Sequence, residues 1–93
     1  MGKKTLKRLV LDVLKPHAPS LPEFAEMLTS VQGVKNVNLT LIEIDQDTET
    51  IKVTLEGDLN YERIKTMIEE KGGVVHSIDE VSAGESQAPP RKP

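Results

Sequence analysis

Between Leu6 and Leu14 the chain reads LKRLVLDVL, with aliphatic residues on both phases of an alternating pattern. Leu9, Leu11 and Val13 fall on one side and Leu6, Val10 and Leu14 on the other, which predicts a strand apolar on both faces. The prolines of KPHAPSLP end it. The pattern then changes period. Leu21, Phe24, Ala25, Leu28 and Val31 recur at helical spacing, and Ser20 with Glu23 forms an S-x-x-E capping box at the entry. Gly33 marks the expected end of this helix. Val37, Leu39 and Leu41 then alternate with Asn36, Asn38 and Thr40, while Ile42 and Ile44 fall out of phase. A second alternating run, Ile51, Val53 and Leu55, is expected to break at Gly57 and Asp58.

Asn60 reads as the cap of a second helix, with Leu59 and Ile64 placed to staple its entry. Ile64, Met67 and Ile68 supply its buried stripe, and Gly72-Gly73 closes it. The final strand is VVHSIDEV, Val74 to Val81. The order strand-helix-strand-strand-helix-strand, with a tight central hairpin, predicts an α+β ferredoxin-like split βαββαβ sandwich. Its four-stranded antiparallel sheet takes the order 4-1-3-2, with two helices on one face. The domain is expected over residues 6–83, after a polar lead at 1–5 and before a proline-rich, disordered tail at 84–93.

About 80 residues of ordered chain make a thin core, and stability at this size often leans on oligomerisation. The second face of the first strand, together with Ile42 and Ile44, reads as an apolar patch that a second copy would cover, so the expected partner is the chain itself, as a homo-oligomer. A β-bulge in the second strand would instead turn Ile42 and Ile44 toward the helices. Asp12 lies in phase with Val10 and Leu14 and needs a lysine, a hydroxyl such as Ser77 or Thr54, or a cation.

Charge and composition narrow the chemistry. The 93 residues carry 12 bases and 15 acids, a net charge of -3, which argues against a nucleic-acid surface. Tyr61 and Phe24 are the only aromatics, too few to stack bases. The absence of cysteine excludes disulfides and thiolate chemistry. No run approaches a membrane span and no secretory h-region opens the chain, so a cytoplasmic location is expected.

The concentrated chemistry is in the hairpin LIEIDQDTETIKV. Glu43, Asp45, Asp47 and Glu49 meet no base until Lys52. Asp45, Asp47 and Glu49 alternate as at the opening of a calcium loop, and all-oxygen ligands suit calcium or magnesium. The sixth-position glycine and distal glutamate of an EF-hand are missing, and the flanks are strands. Asp79 or Glu80 at a subunit interface would complete such a metal site. The competing reading is a solvated hairpin whose polar side chains satisfy local backbone donors. His17 and His76 share no element and lack a third ligand, which favours isolated structural roles.

VQGV at residues 31–34 echoes a fragment of the acylphosphatase loop, but it closes a helix and no arginine follows. No nucleophile-base arrangement or carboxylate pair points to catalysis, so an enzyme is not expected. A regulatory domain holding a small metabolite between subunits is the alternative.

The segments LVLDVLKPHAPSLPEFA, GVKNVNLTLIEIDQDTETIKVTLEG and IKTMIEEKGGVVHSIDEV resemble the short archaeal proteins of domain of unknown function 211, from Leu9 to about Gly84. The resemblance implies a ferredoxin-like fold, a cytosolic archaeal protein and association into oligomers. It supplies no activity and no catalytic residues.

Overall fold

A computed structural model describes residues 3–86 of the chain. The elements follow in the order β1 (Lys3–Pro16), α1 (Leu21–Thr29), β2 (Val34–Ile44), β3 (Thr48–Leu59), α2 (Tyr61–Glu70) and β4 (Val74–Ser86). The strands form one sheet ordered β2-β3-β1-β4, the expected 4-1-3-2 arrangement read from the other edge. All three pairings are antiparallel. This is the α+β ferredoxin-like layout.

The core sits between the sheet and the helices. Leu11 and Val13 of β1 and Ile51, Val53 and Leu55 of β3 are fully buried. They meet Phe24 and Leu28 of α1 and Ile64 and Ile68 of α2. Burying each such side chain contributes about 1.5–3 kcal/mol, so a dozen of them hold a domain of this size with little to spare. Both helix entries follow the expected chemistry. Ser20 and Glu23 exchange side-chain-to-backbone hydrogen bonds at 3.3 and 3.0 Å, and the Asn60 carboxamide oxygen accepts from the Arg63 amide at 3.1 Å.

Strand lengths depart from the expectation. β1 begins at Lys3, so residues 3–5 are strand, and β4 runs on through Gly84 to Ser86 against Lys3, Lys4 and Thr5. The remainder of the expected tail, 87–93, lies outside the described residues, as do Met1 and Gly2. β3 also passes through Gly57 and Asp58 where a break was expected. Gly57 has φ +145 and Gly33 has φ +93. The Asp58 amide donates to the Gly33 carbonyl at 2.9 Å. A Cβ on Gly33 would collide with the Asp58 carbonyl, and one on Gly57 with the Gly33 carbonyl. The two glycines therefore let the start of β2 and the end of β3 close together without ending the strand.

Bulges also rewrite the second apolar face. The β1 register shifts between Leu6 and Arg8, and Leu6, opposite Leu59, packs against the core instead of the open face. The β2 register shifts between Leu41 and Glu43. Beyond the shift Glu43 pairs with Thr50, on the open face, and Ile44 pairs with Glu49, on the helix side. The open face keeps Val10 and Leu14 from the expected apolar set, among Arg8, Asp12, Thr50, Lys52, Thr54 and Glu56. It is a mostly polar face.

Candidate functional site at the acidic hairpin

The phase that buries Leu9, Leu11 and Val13 continues to Lys15, whose side chain is 0% exposed. A buried ammonium needs acceptors. Lys15 Nζ donates to the Pro16 carbonyl at 2.8 Å and to Glu49 Oε1 at 3.0 Å. It also lies 5.8 Å from the centre of the Phe24 ring, whose π-face adds attraction. Glu49 comes from the first turn of β3, directly opposite Lys15 in the register.

The second carboxylate oxygen of Glu49 faces His17. His17 Nδ1 lies 3.0 Å from Glu49 Oε2 and Nε2 lies 2.9 Å from the Gln46 carbonyl. The hydrogen bond to Glu49 is the main reason the His17 pKa is raised above its ordinary 6.5, with the Gln46 carbonyl next. The same bond, followed by that from Lys15, lowers Glu49 below its ordinary 4.5. Three side chains thus tie the turn between β2 and β3 to the loop that follows β1. The turn itself is closed by the Asp45 amide donating to the Thr48 carbonyl at 2.8 Å.

Against this geometry the five carboxylates expected to hold a cation separate. Glu49 turns inward onto Lys15 and His17, while Asp45 and Asp47 stay exposed at the tip. Asp79 sits in a β4 bulge and accepts from the Ser77 hydroxyl at 2.7 Å. Glu80 accepts from Arg8 Nε at 2.8 Å, and Arg8 also donates to Glu56 at 2.8 Å. These bonds, that with Glu80 first, raise the Arg8 pKa. Glu80 pairs with Val10 whereas Glu49 pairs with Lys15. Five residues of β1 separate the two rows, roughly 17 Å along the sheet. Asp79 and Glu80 therefore do not join the hairpin acids within one chain. Among the described residues no group of three or more histidine, aspartate or glutamate side chains is placed to hold a metal ion.

Asp12 meets a partner other than the lysine, hydroxyl or cation expected for it. A register shift in β4 between Val75 and Ser77 sets His76 beside it, with Nδ1 3.3 Å from Asp12 Oδ2. The two line a cavity of about 350 Å³ on the open face, with Val13, Leu14, Thr50 and Glu43. Lys15 was missed altogether. Its signal was present in the phase: it is the next position after Leu9, Leu11 and Val13 on the buried side.

The sequence profile of domain of unknown function 211, described as uncharacterized ArCR, matches residues 7–88. The chain belongs to this family. A curated member-like relative, an uncharacterized protein of Methanocaldococcus jannaschii, is 50% identical over 80 residues, covering 85% of this chain and 82% of its own. The match to domain of unknown function 211 takes in β1 from Lys7 through all of β4, so the hairpin, the Lys15–Glu49–His17 cluster and both sheet edges lie inside the family region. Among the described residues no helix is long and apolar enough to cross a membrane.

Proposed function

We propose that this domain of unknown function 211 protein is a non-catalytic module that associates with copies of itself through the two outer strands of its sheet. The observation that carries the reading is the pair of unpaired edges. Leu41, Ile42 and Ile44 on β2 and Val74, Ile78 and Val81 on β4 are each between 40% and 60% exposed. Monomeric sheet proteins guard their edges with charge, proline or short strands. β2 and β4, of 11 and 13 residues, are long, and beside their charges and bulges they expose aliphatic side chains. The edges differ from each other, so contact between them is head-to-tail and closes into a ring, or runs on as a filament.

A divalent cation, calcium or magnesium, fits the same assembly. The carboxylates of Asp45 and Asp47 extend from the β2 end of one copy, and β4 of the next copy would bring Asp79 and Glu80 toward them. Glu49 stays with Lys15 and His17 and is not part of the proposed ligand set. A second reading, a small metabolite held between copies, draws on the cavity at Asp12, Glu43 and His76.

Size-exclusion chromatography with light scattering tests the association, using Ile44→Lys and Val81→Lys as edge variants. Discrete oligomers from the parent and monomers from either variant are expected. A monomeric parent contradicts the proposal. A thermal-shift panel separates the ligands: stabilisation by calcium or magnesium favours the cation, stabilisation by an amino acid or nucleotide the metabolite.

A further inference from the structure

All four strands contribute to the cavity on the open face. Glu43 of β2 pairs with Thr50 of β3, and Thr50 pairs with Leu14 of β1. Asp12 lies two residues before Leu14, and the β4 register shift sets His76 beside it. The cavity, of about 350 Å³, falls in the size range of small-molecule sites. Its lining carries two carboxylates, a hydroxyl, an imidazole and the aliphatic Leu14, and no lysine or arginine.

Both carboxylates have acceptor capacity to spare. Asp12 Oδ2 lies 3.3 Å from His76 Nδ1, while Oδ1 meets no donor among the described residues. Glu43 makes no ion pair or side-chain hydrogen bond among them. Lys52 stands opposite Asp12 in the register and forms an ion pair with neither acid. The spacing sets the shape of a ligand. Two strand spacings and two residues along the strand separate the backbones of Asp12 and Glu43, about 12 Å. Together with His76 they are not placed to hold one metal ion. A cation that satisfies both acids must carry its charge at two separated points, with an apolar stretch between them to lie on Leu14.

We propose that this cavity binds a linear aliphatic diamine, with one ammonium on Asp12, the other on Glu43 and the methylene chain across Leu14. An ammonium only donates and a carboxylate only accepts, so each end makes charge-assisted hydrogen bonds. The Thr50 hydroxyl offers a further acceptor between them. The inference gives the ligand class for the metabolite reading of this cavity and rests on that reading. It does not rest on self-association, because every residue comes from one chain.

Amide NMR of the full chain, titrated at constant ionic strength with 1,4-diaminobutane and with butylamine, tests it. The diamine should shift the Asp12, Leu14, Glu43, Thr50 and His76 amides along one saturable curve. Butylamine, with a single ammonium, should bind about tenfold more weakly, the worth of one charge-assisted hydrogen bond. Asp12→Asn and Glu43→Gln should each weaken the diamine by about the same factor. Glu26→Gln, on α1 at the other face of the sheet, should bind as the parent does. Equal binding of the two amines overturns the proposal, as does an unchanged affinity in Asp12→Asn or Glu43→Gln. If an amino acid or nucleotide shifts these amides and the diamine does not, the diamine is wrong and the metabolite reading stands. If none of them does, both fail.

Discussion

Lys15 and Glu49 show how one buried charge decides what its neighbour can do. Taking an ammonium out of water costs several kcal/mol unless an anion and further acceptors receive it. Glu49 is therefore committed to the fold, and Glu49→Gln should lower stability by about 3 kcal/mol in chemical denaturation, the lower end for breaking a buried pair because Glu49 keeps some water. Asp45→Asn and Asp47→Asn, at exposed positions, should each change stability by less than about 0.5 kcal/mol. Equal losses at all three positions would contradict the division between inward and outward acids. The titrations follow with definite signs. His17 has a raised pKa, so its contribution is full below the ordinary 6.5 and is lost as pH rises through the folded value. Glu49 has a lowered pKa, so its contribution is full above 4.5 and is lost as pH falls through its folded value. Stability from the cluster should thus be greatest between pH 4.5 and 6.5, and a denaturation series in His17→Gln should lose the alkaline decline. The acidic character of the hairpin was legible in the sequence. The fate of Glu49 was not, because its partner lies 34 residues earlier in the chain.

At the level of elements, alternation and capping carried the fold; the β2 bulge was legible as an alternative in the out-of-phase Ile42 and Ile44, and the bulges of β1 and β4 escaped. Val37, Leu39 and Leu41, like Ile51, Val53 and Leu55, announced their faces because a strand with one buried side must alternate. Ser20 with Glu23 and Asn60 announced the helix starts because their side chains fill orphan amides. A bulge depends on how two strands pair, and one strand's pattern at most hints at it, as Ile42 and Ile44 did in β2. The shifts at β1, β2 and β4 accordingly moved Leu6 toward the core, Ile44 to the helix side and His76 beside Asp12. Of the apolar open face expected from Leu6, Val10, Leu14, Ile42 and Ile44, Val10 and Leu14 stay while Leu6 and Ile44 turn to the helix side. The glycine contact between β2 and β3 gives a further check. Gly33→Ala combines a left-handed φ with a collision against the Asp58 carbonyl and should cost about 1–3 kcal/mol or more. Gly84→Ala, with open space around it, should leave the midpoint of thermal unfolding nearly unchanged. Similar losses at both positions would contradict the close approach.

Viewed as a whole molecule, the protein has a small core closed on one side by two helices and unfinished along its two edges. The helix-side rows of β4 extend past the helices, leaving Ile78 and Val81 uncovered. Edge-to-edge contact would cover those side chains and satisfy the free backbone groups of both strands together. In the proposed assembly β4 of one copy would bring its Asp79–Glu80 segment toward the acidic hairpin of another, which a single chain keeps roughly 17 Å apart. The measurement that bears most directly on this account is native mass spectrometry of the purified protein before and after EDTA. The account predicts a discrete oligomer whose mass carries calcium or magnesium and which loses that mass, or dissociates, on chelation. A monomer with no bound metal at micromolar concentration would contradict it.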